Sequence, residues 1–399
     1  MLDVAVIGGG PGGLHVARLL ARVGIDVHVF EEHDRTGEPV HCTGVLAADA
    51  FAEFDLPRES ILNELTTARF FAPSGFSITY STRAIEAVAV DRLVFDRSLC
   101  ESARHAGAQL ISGARVTSAE VQRDGVRITL GNGRQFSSRM CVLACGASYG
   151  LQQRLGLGIP AVFMQSAQLE LPLARPGDVE VHFGRTVAPN GFAWVVPVRR
   201  DQNNWCARIG LMCERDATGY FRRFVKRIHE RLALDVGGPV PLSPRRKMLP
   251  LAPIGRTSTE RVLAVGDAAG IVKATTGGGI YYSIVSATIA ADVISSALRK
   301  NRYGATALDR YERAWRSRLG PEIDAQLALR SLAHRMDDQD IEALFELART
   351  DGVMPIVRKT AQFNQHRALI AALFKHPPAR RILFHGLQGA SRRLSRAAD

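Results

Sequence analysis

The segment that begins at Gly8 is the first part of the chain whose residue types and spacing could do chemistry. It reads Gly8-Gly9-Gly10-Pro11-Gly12-Gly13, and Gly8, Gly10 and Gly13 have the spacing G-x-G-x-x-G. The first glycine of such a pattern permits a tight turn, the second lets the backbone approach a pyrophosphate, and the third lets a helix pack closely on a strand. N–H groups at the start of the following helix attract phosphates. The segment therefore predicts a dinucleotide site.

Glu31 stands where a dinucleotide-binding unit needs an acid. It follows residues 27–30 (Val-His-Val-Phe), twenty-three residues after Gly8. At the end of a strand its carboxylate can accept hydrogen bonds from a ribose 2′-hydroxyl, and its charge disfavours a 2′-phosphate. Residues 4–7 predict a first buried strand, the next residues a helix through about Ala21, and residues 27–30 a second strand. Together they predict a β-α-β unit.

A second glycine-rich segment, far along the chain, favours FAD over NAD as the dinucleotide. Asp267 follows a predicted strand at residues 262–265, and Gly278, Gly279 and Ile280 open a predicted helix. An aspartate at such a strand end can bond the ribityl hydroxyls of FAD. Glycine N–H groups at the helix start can face the N1–C2=O edge of the flavin, where the helix dipole stabilises negative charge.

These two segments, with three others, resemble the geranylgeranyl reductase family, within the flavoproteins shaped like p-hydroxybenzoate hydroxylase. The other three are the segments 37–45 (Gly-Glu-Pro-Val-His-Cys-Thr-Gly-Val), 91–96 and 191–197 (Gly-Phe-Ala-Trp-Val-Val-Pro). The resemblance covers residues 1–300 well and the rest of the chain loosely. It implies that Cys42, Thr43 and Val45 line the flavin.

The resemblance also implies roles for residues outside that loop. Arg92 would contact the FAD, and Phe192 and Trp194 would form the wall of a cavity for an isoprenoid chain. Cys42 and His41 are the candidates for a proton donor or for positioning the substrate. With Val116 added, the predicted cofactor-binding residues are Gly8, Gly10, Pro11, Gly12, Gly13, Glu31, Cys42, Thr43, Val45, Arg92, Val116, Asp267, Gly278, Gly279 and Ile280.

The chain departs from the family pattern at several positions. Phe192 and Val196 replace a usual Tyr and Phe, and Lys273-Ala274 stands where the family tends to show Asn-Pro beside the flavin. The segment 144–146 lacks an Asp that is common in the wider group. These departures bear on the substrate more than on the cofactor.

The activity that the resemblance implies is reduction of isolated C=C bonds in a geranylgeranyl or polyprenyl chain, with a hydride from N5 of reduced FAD and a proton. Such an alkene has no polar group, so an apolar wall must orient it. Two alternatives remain open: an FAD-dependent monooxygenase or halogenase of the same fold, and a non-catalytic membrane-associated flavoprotein. Aromatic hydroxylases of this shape usually carry a His where this chain has Gly270. Only one dinucleotide fingerprint is present, so either NADPH binds without a Rossmann domain of its own or a ferredoxin-like protein supplies electrons.

The positions of the two glycine-rich segments predict a discontinuous cofactor domain in an α/β (α+β overall) fold. Residues 1–65, 91–157 and 255–300 would form a Rossmann-like FAD-binding domain. Residues 66–90 and 158–254 would form an inserted antiparallel β-sheet that binds the substrate, because segments near 69–82 and 178–212 alternate apolar and polar residues. Residues 301–399 would form a C-terminal helical region. A hairpin is predicted across the Gly131-Asn132-Gly133 turn.

The composition is that of a globular protein with a basic C-terminal part. Hydrophobic residues make up 46% of the 399 residues and charged residues 23%, and the net charge is +12. Residues 353–399 contain one acid, Asp399, and nine cations, and so contribute +8. The nine cations are Arg358, Lys359, Arg367, Lys375, Arg380, Arg381, Arg392, Arg393 and Arg396.

The partners and the location of the protein are predicted from this basic segment, from the apolar runs and from the cysteines. A basic, partly amphipathic segment attracts anionic membranes, and no nucleic-acid-binding signature accompanies it. No uninterrupted apolar run reaches the roughly 18 residues of a membrane span. We therefore expect a cytoplasmic protein, with peripheral contact at the inner face of the membrane and a lipophilic substrate. The six cysteines show no metal-ligand spacing and are expected to be thiols, so no metal is predicted.

Overall fold

The computed structural model describes residues 1–201, 204–235, 242–350 and 352–385. The strands, in chain order, are β1 (Leu2–Ile7), β2 (Val27–Phe30), β3 (Val45–Ala47), β4 (Ile61–Leu65), β5 (Thr67–Phe71), β6 (Ser77–Ser81), β7 (Ala87–Val90), β8 (Gln109–Ile111), β9 (Val116–Val121), β10 (Val126–Leu130), β11 (Gln135–Leu143), β12 (Phe163–Leu173), β13 (Val179–His182), β14 (Phe192–Arg199), β15 (Trp205–Cys213), β16 (Arg245–Pro250), β17 (Ser258–Thr259) and β18 (Val262–Ala264). The helices are α1 (Pro11–Arg22), α2 (Ala50–Glu53), α3 (Arg92–His105), α4 (Gly150–Arg154), α5 (Ala217–Leu232), α6 (Ile280–Lys300), α7 (Ala305–Ala333), α8 (Asp338–Arg349), α9 (Met354–Thr360) and α10 (Arg367–Lys375). Residues 377–385 are also helical.

The predicted β-α-β unit is confirmed, because β1, α1 and β2 follow one another and β1 pairs in parallel with β2. The central path of its sheet runs β17-β18-β11-β1-β2-β8, and the pairs from β18 to β8 are parallel. Buried apolar residues fill β1, as expected for a strand covered on both faces. The predicted hairpin is confirmed, because β10 and β11 pair antiparallel across the turn at Gly131–Gly133.

A seven-stranded sheet has the order β16-β12-β15-β14-β13-β5-β6. The prediction of an antiparallel sheet holds for every neighbouring pair except β5 and β13, which run parallel. A third sheet contains β3, β7 and β4, so residues 87–90 pair with β3 and β4 and not with the seven-stranded sheet. The mixed α/β fold class predicted from the sequence is confirmed.

Strand β14 shows how alternation divides the seven-stranded sheet into two faces. Ala193 and Val195 belong to the core cluster that includes α5. Phe192, Trp194 and Val196 point to the opposite face, where they line a cavity. Since successive side chains of a strand point to opposite faces, one strand serves both the core and the site.

The C-terminal helices are fixed to the Rossmann-like part through α7. The Tyr311 hydroxyl donates to the carbonyl of Ala264, 2.7 Å away, and Trp315 Nε1 donates to Thr257 Oγ1, 2.8 Å away. Both aromatic side chains are fully buried. Among the described residues α6 alone is long and apolar enough to cross a membrane, but more than half of its apolar window is buried in the fold. A core helix gives the same signal.

Candidate active site

A cavity of about 940 Å³ is lined by residues of the Rossmann-like sheet, the seven-stranded sheet and the loops between them. Every residue predicted to bind cofactor or substrate, or to act in catalysis, lines this cavity. These residues are Gly8, Gly10, Pro11, Gly12, Gly13, Glu31, His41, Cys42, Thr43, Val45, Arg92, Val116, Phe192, Trp194, Asp267, Gly278, Gly279 and Ile280. The fold therefore brings together segments that are far apart in the sequence.

The glycines of the first segment have different physical requirements. Gly8 has φ +109°, and a Cβ there would lie 2.3 Å from the carbonyl oxygen of Ala144. A Cβ on Gly13 would lie 2.0 Å from the carbonyl oxygen of Gly8, so this glycine lets α1 approach β1. A Cβ on Gly10 would meet no heavy atom within 4 Å, because it would enter the open cavity. Close packing therefore requires glycine at positions 8 and 13. Gly10 has a different role, because it leaves the space in front of α1 open.

Glu31 is held at the end of β2 by backbone donors. The N–H of Gly9 donates to Glu31 Oε2 at 2.6 Å, and the N–H of His33 donates to Oε1 at 3.0 Å. The His33 ring also contacts Oε1, with 2.5 Å between Nδ1 and the oxygen. The carboxylate is thus fixed beside the glycine turn at the cavity wall, where an acid that accepts from a ribose is needed.

Asp267 pairs with a lysine that sequence reasoning missed. Lys247 Nζ donates to Asp267 Oδ2 at 3.0 Å, and the Asp267 charge raises the pKa of Lys247 although burial opposes it. The Tyr149 hydroxyl donates to the carbonyl of Asp267 at 2.6 Å. Lys247 lies on β16 and also lines the cavity. No local pattern links β16 to the Gly-Asp turn, so only the sheet topology reveals this pair.

The loop from Gly37 to Val45 is positioned by a second residue that the sequence did not single out. Arg208, which is buried, donates from Nη1 to the carbonyl of Thr43 and to that of Val90, both at 2.7 Å. Its Nε donates to Glu170 Oε2 at 2.9 Å. A Cβ on Gly44, which has φ +72°, would lie 2.9 Å from Arg208 Nη1. The guanidinium therefore fixes the backbone that presents Cys42 and Thr43.

Cys42 lies among cations at the cavity wall. The Arg92 guanidinium pairs with Asp96 at 2.8 Å; burial opposes its charge, but Asp96 and Cys42 outweigh burial and raise the pKa of Arg92. Cys42 also contributes to the raised pKa of Lys247, after Asp267. The N–H of Gly44 donates to Cys42 Sγ at 3.4 Å. This thiol thus faces two cationic side chains and one backbone donor.

His41 has a different electrostatic environment from Cys42. Burial lowers its pKa, and the nearby charges of Arg245, Lys247 and His33 lower it further. The neutral ring is therefore favoured at neutral pH, so His41 is better suited to hydrogen bonding than to acid catalysis.

One row of paired residues crosses the seven-stranded sheet beneath the cavity. Phe70 pairs with Val181, Val181 with Trp194, Trp194 with Gly210, and Gly210 with Gln168. A Cβ on Gly210 would lie 2.4 Å from the Trp194 ring, so the indole lies across the glycine. Gln168 is next paired with Arg245 of β16, and its Oε1 accepts from Thr43 Oγ1 at 3.0 Å.

The apolar wall is larger than the two aromatic residues that the resemblance implied. Phe192 and Trp194 are in contact, with ring centres 5.7 Å apart. Trp194 Nε1 is buried and has no hydrogen-bond partner among the residues that the structure describes. Further apolar side chains of the cavity come from β4, β5, β13 and β14: Leu65, Phe70, Val179, Val181 and Val196. The period-2 pattern of each strand was visible in the sequence, but the assembly of the wall was not.

The C-terminal part also reaches the cavity. Phe363 and His366 line it, beside Lys273. The ring of His366 contacts Thr275 Oγ1 at 2.7 Å, and burial followed by the charge of Lys273 lowers its pKa to about 4. Sequence reasoning assigned these two residues to a helical region without a role in the site.

The residues present fit FAD. The space in front of Gly10 adjoins the start of α1, where backbone N–H groups can meet a pyrophosphate. Glu31 and Asp267 supply acceptors for sugar and ribityl hydroxyls, and Gly278 and Gly279 precede α6. Among the described residues no group of His, Cys, Asp and Glu could hold a metal ion.

Comparison with known proteins gives relatives of the same kind as the sequence motifs implied. The family described as "Pyridine nucleotide-disulphide oxidoreductase" matches residues 2–167. The chain is 29% identical to the digeranylgeranylglycerophospholipid reductase of Methanocaldococcus jannaschii, over 86% of this chain and 90% of that protein. It is likewise 29% identical to the reductase of the same name from Methanothrix thermoacetophila, over 88% and 92%.

Solved structures share the fold over nearly the whole chain. A geranylgeranyl bacteriochlorophyll reductase-like protein of Thermoplasma acidophilum has a TM-score of 0.82 at 22% identity, and the match covers 97% of this chain and 98% of that one. The halogenase PltM in complex with phloroglucinol and FAD has a TM-score of 0.68 at 16% identity, over 93% and 86%. The recognition made from the sequence motifs is therefore confirmed, and the chain is an FAD-dependent oxidoreductase with the geranylgeranyl reductase-like fold.

Proposed function

We propose that this protein reduces isolated C=C bonds in an isoprenoid chain of the geranylgeranyl or polyprenyl class. The observation that carries the proposal is that one cavity extends from the glycine turn at Gly8–Gly13 to the apolar wall on the seven-stranded sheet. The names of the curated relatives, which are reductases of a geranylgeranyl-bearing phospholipid, support it.

We assign the cofactor-binding roles to the glycine turn and to two acidic residues that line the cavity. The turn at Gly8–Gly13 and the start of α1 hold the pyrophosphate, Glu31 holds the adenosine ribose, and Asp267 holds the ribityl chain. When bound and reduced, FAD supplies the hydride. The proposed division of the chain is an FAD-binding domain (1–65, 91–157, 255–300), a substrate-binding part (66–90, 158–254) and a helical region (301–399). Residues 87–90 of the substrate-binding part pair outside the seven-stranded sheet.

The apolar wall orients the substrate. An alkene offers no hydrogen-bonding group, so its position depends on shape and on exclusion of water. Phe70, Val181, Trp194 and Val196 present a continuous apolar surface for this purpose. The same surface would bind an aromatic substrate less selectively, because it carries few directional polar groups.

Cys42 is the group that we assign to the proton side of the reaction. Its thiol borders the cavity beside Arg92 and Lys247. These two side chains can stay positively charged when a proton moves at Sγ. His41 assists by hydrogen bonding, since its pKa is lowered by burial and by neighbouring cations. A thiol is compact and polarizable, so it borders an apolar chain at less desolvation cost than a carboxylate.

The partners of the reaction are a donor of electrons and a membrane that holds the substrate. NADPH or a ferredoxin-like protein would reduce the FAD. Reversible contact with the inner face of an anionic membrane would come from the basic C-terminal part of a cytoplasmic protein. Of its nine cations Arg392, Arg393 and Arg396 lie outside the described residues.

Anaerobic mixing of the reduced enzyme with prenylated lipids tests this proposal. Mass spectrometry should show products heavier by two hydrogens for each bond reduced. A product that gains oxygen or halogen in air, with no hydrogenated product, would favour the monooxygenase or halogenase alternative.

The assignment of Cys42 is tested by Cys42→Ser, with Cys206→Ser as a matched control. Cys206 is a partly buried thiol of β15 that does not line the cavity. We expect Cys42→Ser to retain FAD and to change the rate or the number of bonds reduced, while the control behaves as wild type. Wild-type turnover and products in Cys42→Ser would show that another residue manages the proton.

A further inference from the structure

Lys273 is a buried cation on the cavity wall, only 5% exposed. Its Nζ donates to the carbonyl of Phe363 at 3.1 Å and to Asn364 Oδ1 at 3.3 Å, and it lies 4.3 Å from the centre of the Phe363 ring. Within the described part of the chain no carboxylate forms an ion pair with it; Asp49 acts on it only at longer range. All its direct partners are neutral.

The ammonium group of Lys273 lies next to the turn that opens α6. The N–H of Lys273 donates to the carbonyl of Gly278 at 3.1 Å, and the N–H of Gly277 donates to that of Lys273 at 2.8 Å. A Cβ on Gly278 would lie 2.8 Å from Lys273 Cε and 3.5 Å from Nζ. The cation therefore stands beside the N-terminal end of a 21-residue helix, where the partial positive charge of the helix also favours an anion.

A buried cation without an anionic partner carries a desolvation cost, and folded proteins normally pair such charges. Here burial lowers the pKa of Lys273 to about 7, and Asp49 offsets burial only in part. His366, which also faces this group, is neutral near pH 7 because its own pKa is lowered to about 4. The hydrogen bonds to Phe363 and Asn364 would suit a neutral amide equally well, so nothing in the fold itself requires the charge.

We propose that Lys273 stabilises the negative charge that FAD gains on reduction and so raises the midpoint potential of the bound cofactor. Uptake of two electrons and one proton leaves one negative charge on the ring system, and the electrons come from the external donor. The turn at Gly278 and Gly279 is the part of the cavity that sequence reasoning places against the N1–C2=O edge. Lys273 thus acts on the bound cofactor through its positive charge. The Asn-Pro that the family tends to show at this place would not supply such a charge.

The test uses the FAD-loaded enzyme without substrate. Lys273→Met removes the charge and keeps the length of the side chain, and Lys273→Gln also keeps a donor for the Phe363 carbonyl. Lys300→Met is the matched control, because Lys300 is an exposed lysine at the end of α6. The measurements are the dissociation constants of oxidised and reduced FAD and the two-electron midpoint potential, determined by anaerobic reduction against a reference dye.

In both Lys273 variants the ratio of the reduced to the oxidised dissociation constant should rise about tenfold, the effect of losing one charge-assisted hydrogen bond. That ratio corresponds to a midpoint potential lower by about 30 mV. The control should keep the wild-type values. Thermal unfolding of the apoproteins shows whether a variant folds, and if Lys273→Met does not, Lys273→Gln carries the test.

Two outcomes would overturn the proposal. An unchanged ratio in a folded variant would show that the lysine does not respond to the redox state. Equal weakening of both FAD states would assign it to a phosphate of the cofactor. Because the potential is measured without substrate, failure of alkene reduction would leave this test unaffected.

Discussion

Replacing Gly10 by valine should separate cofactor binding from folding. Gly10 has φ −80° and ψ 178°, a conformation that any residue adopts, and a Cβ there meets no heavy atom within 4 Å. Loss of glycine at this N-cap position weakens the cap by up to about 1 kcal/mol, and the stiffer unfolded chain offsets about 0.4–1 kcal/mol of that loss. We therefore expect the apoprotein of Gly10→Val to unfold in urea within about 1 kcal/mol of wild type.

The effect on FAD should be much larger. The valine methyl groups would occupy the space through which a pyrophosphate approaches the start of α1. Loss of one hydrogen bond to a charged group costs about 1.5–3 kcal/mol, which corresponds to about a 10- to 150-fold weaker affinity. Titration of the apoprotein with FAD, followed by flavin fluorescence, measures this loss.

Gly13→Ala is the matched control, since it should lower the stability of the apoprotein more than it lowers the affinity for FAD. Its Cβ would lie 2.0 Å from the Gly8 carbonyl oxygen, so backbone must move. Overpacking of this kind costs about 1–3 kcal/mol. The reasoning would be refuted if Gly10→Val bound FAD with wild-type affinity, or if it unfolded readily while Gly13→Ala did not.

Three further predictions concern charge. Asp267→Ala should weaken FAD binding by about 1–3 kcal/mol, measured by the same titration. Attachment to anionic vesicles through the cations of residues 358–396 should fall steeply as salt rises, because each exposed cation contributes about 1 kcal/mol and is screened; equal partitioning onto neutral vesicles would contradict it. The pKa of Lys273 falls from 10.5 to about 7 on folding, mainly by burial, with Asp49 opposing and His366 neutral. Since the unfolded chain then holds the extra proton, the contribution of Lys273 to apoprotein stability should rise between pH 7 and 10.5, by up to about 5 kcal/mol at 1.4 kcal/mol per unit. The measurement is the difference in urea unfolding between wild type and Lys273→Met at each pH, in which the contributions of other titrating groups cancel.

The sequence was informative where chemistry depends on short segments. The glycine turn, the strand at Val27–Phe30 and the start of α6 are each encoded by a few neighbouring residues, and their bounds agree with the structure. Spacing alone also selected Glu31, because the length of a β-α-β unit fixes where the acid falls.

The sequence was uninformative where partners are distant. Lys247 meets Asp267 only because β16 lies at the edge of the seven-stranded sheet, and Arg208 reaches the Thr43 carbonyl from β15. Alternation of apolar and polar residues identifies a strand but not the direction of its neighbour. For that reason the parallel pairing of β5 with β13 could not be read from the pattern.

The row that crosses the seven-stranded sheet explains how the wall and the cofactor loop keep a fixed relation. Its members pair through backbone hydrogen bonds, so their spacing is set by sheet register and not by side-chain size. The Trp194 indole lies across Gly210, and the next position, Gln168, bonds Thr43 of the loop that carries Cys42. Under the proposed function, exchanges on the wall, such as the valine at position 196 where the family resemblance implies a Phe, can therefore alter which chain fits without moving the loop. In that proposal substrate selectivity and proton handling reside in separate parts of one cavity.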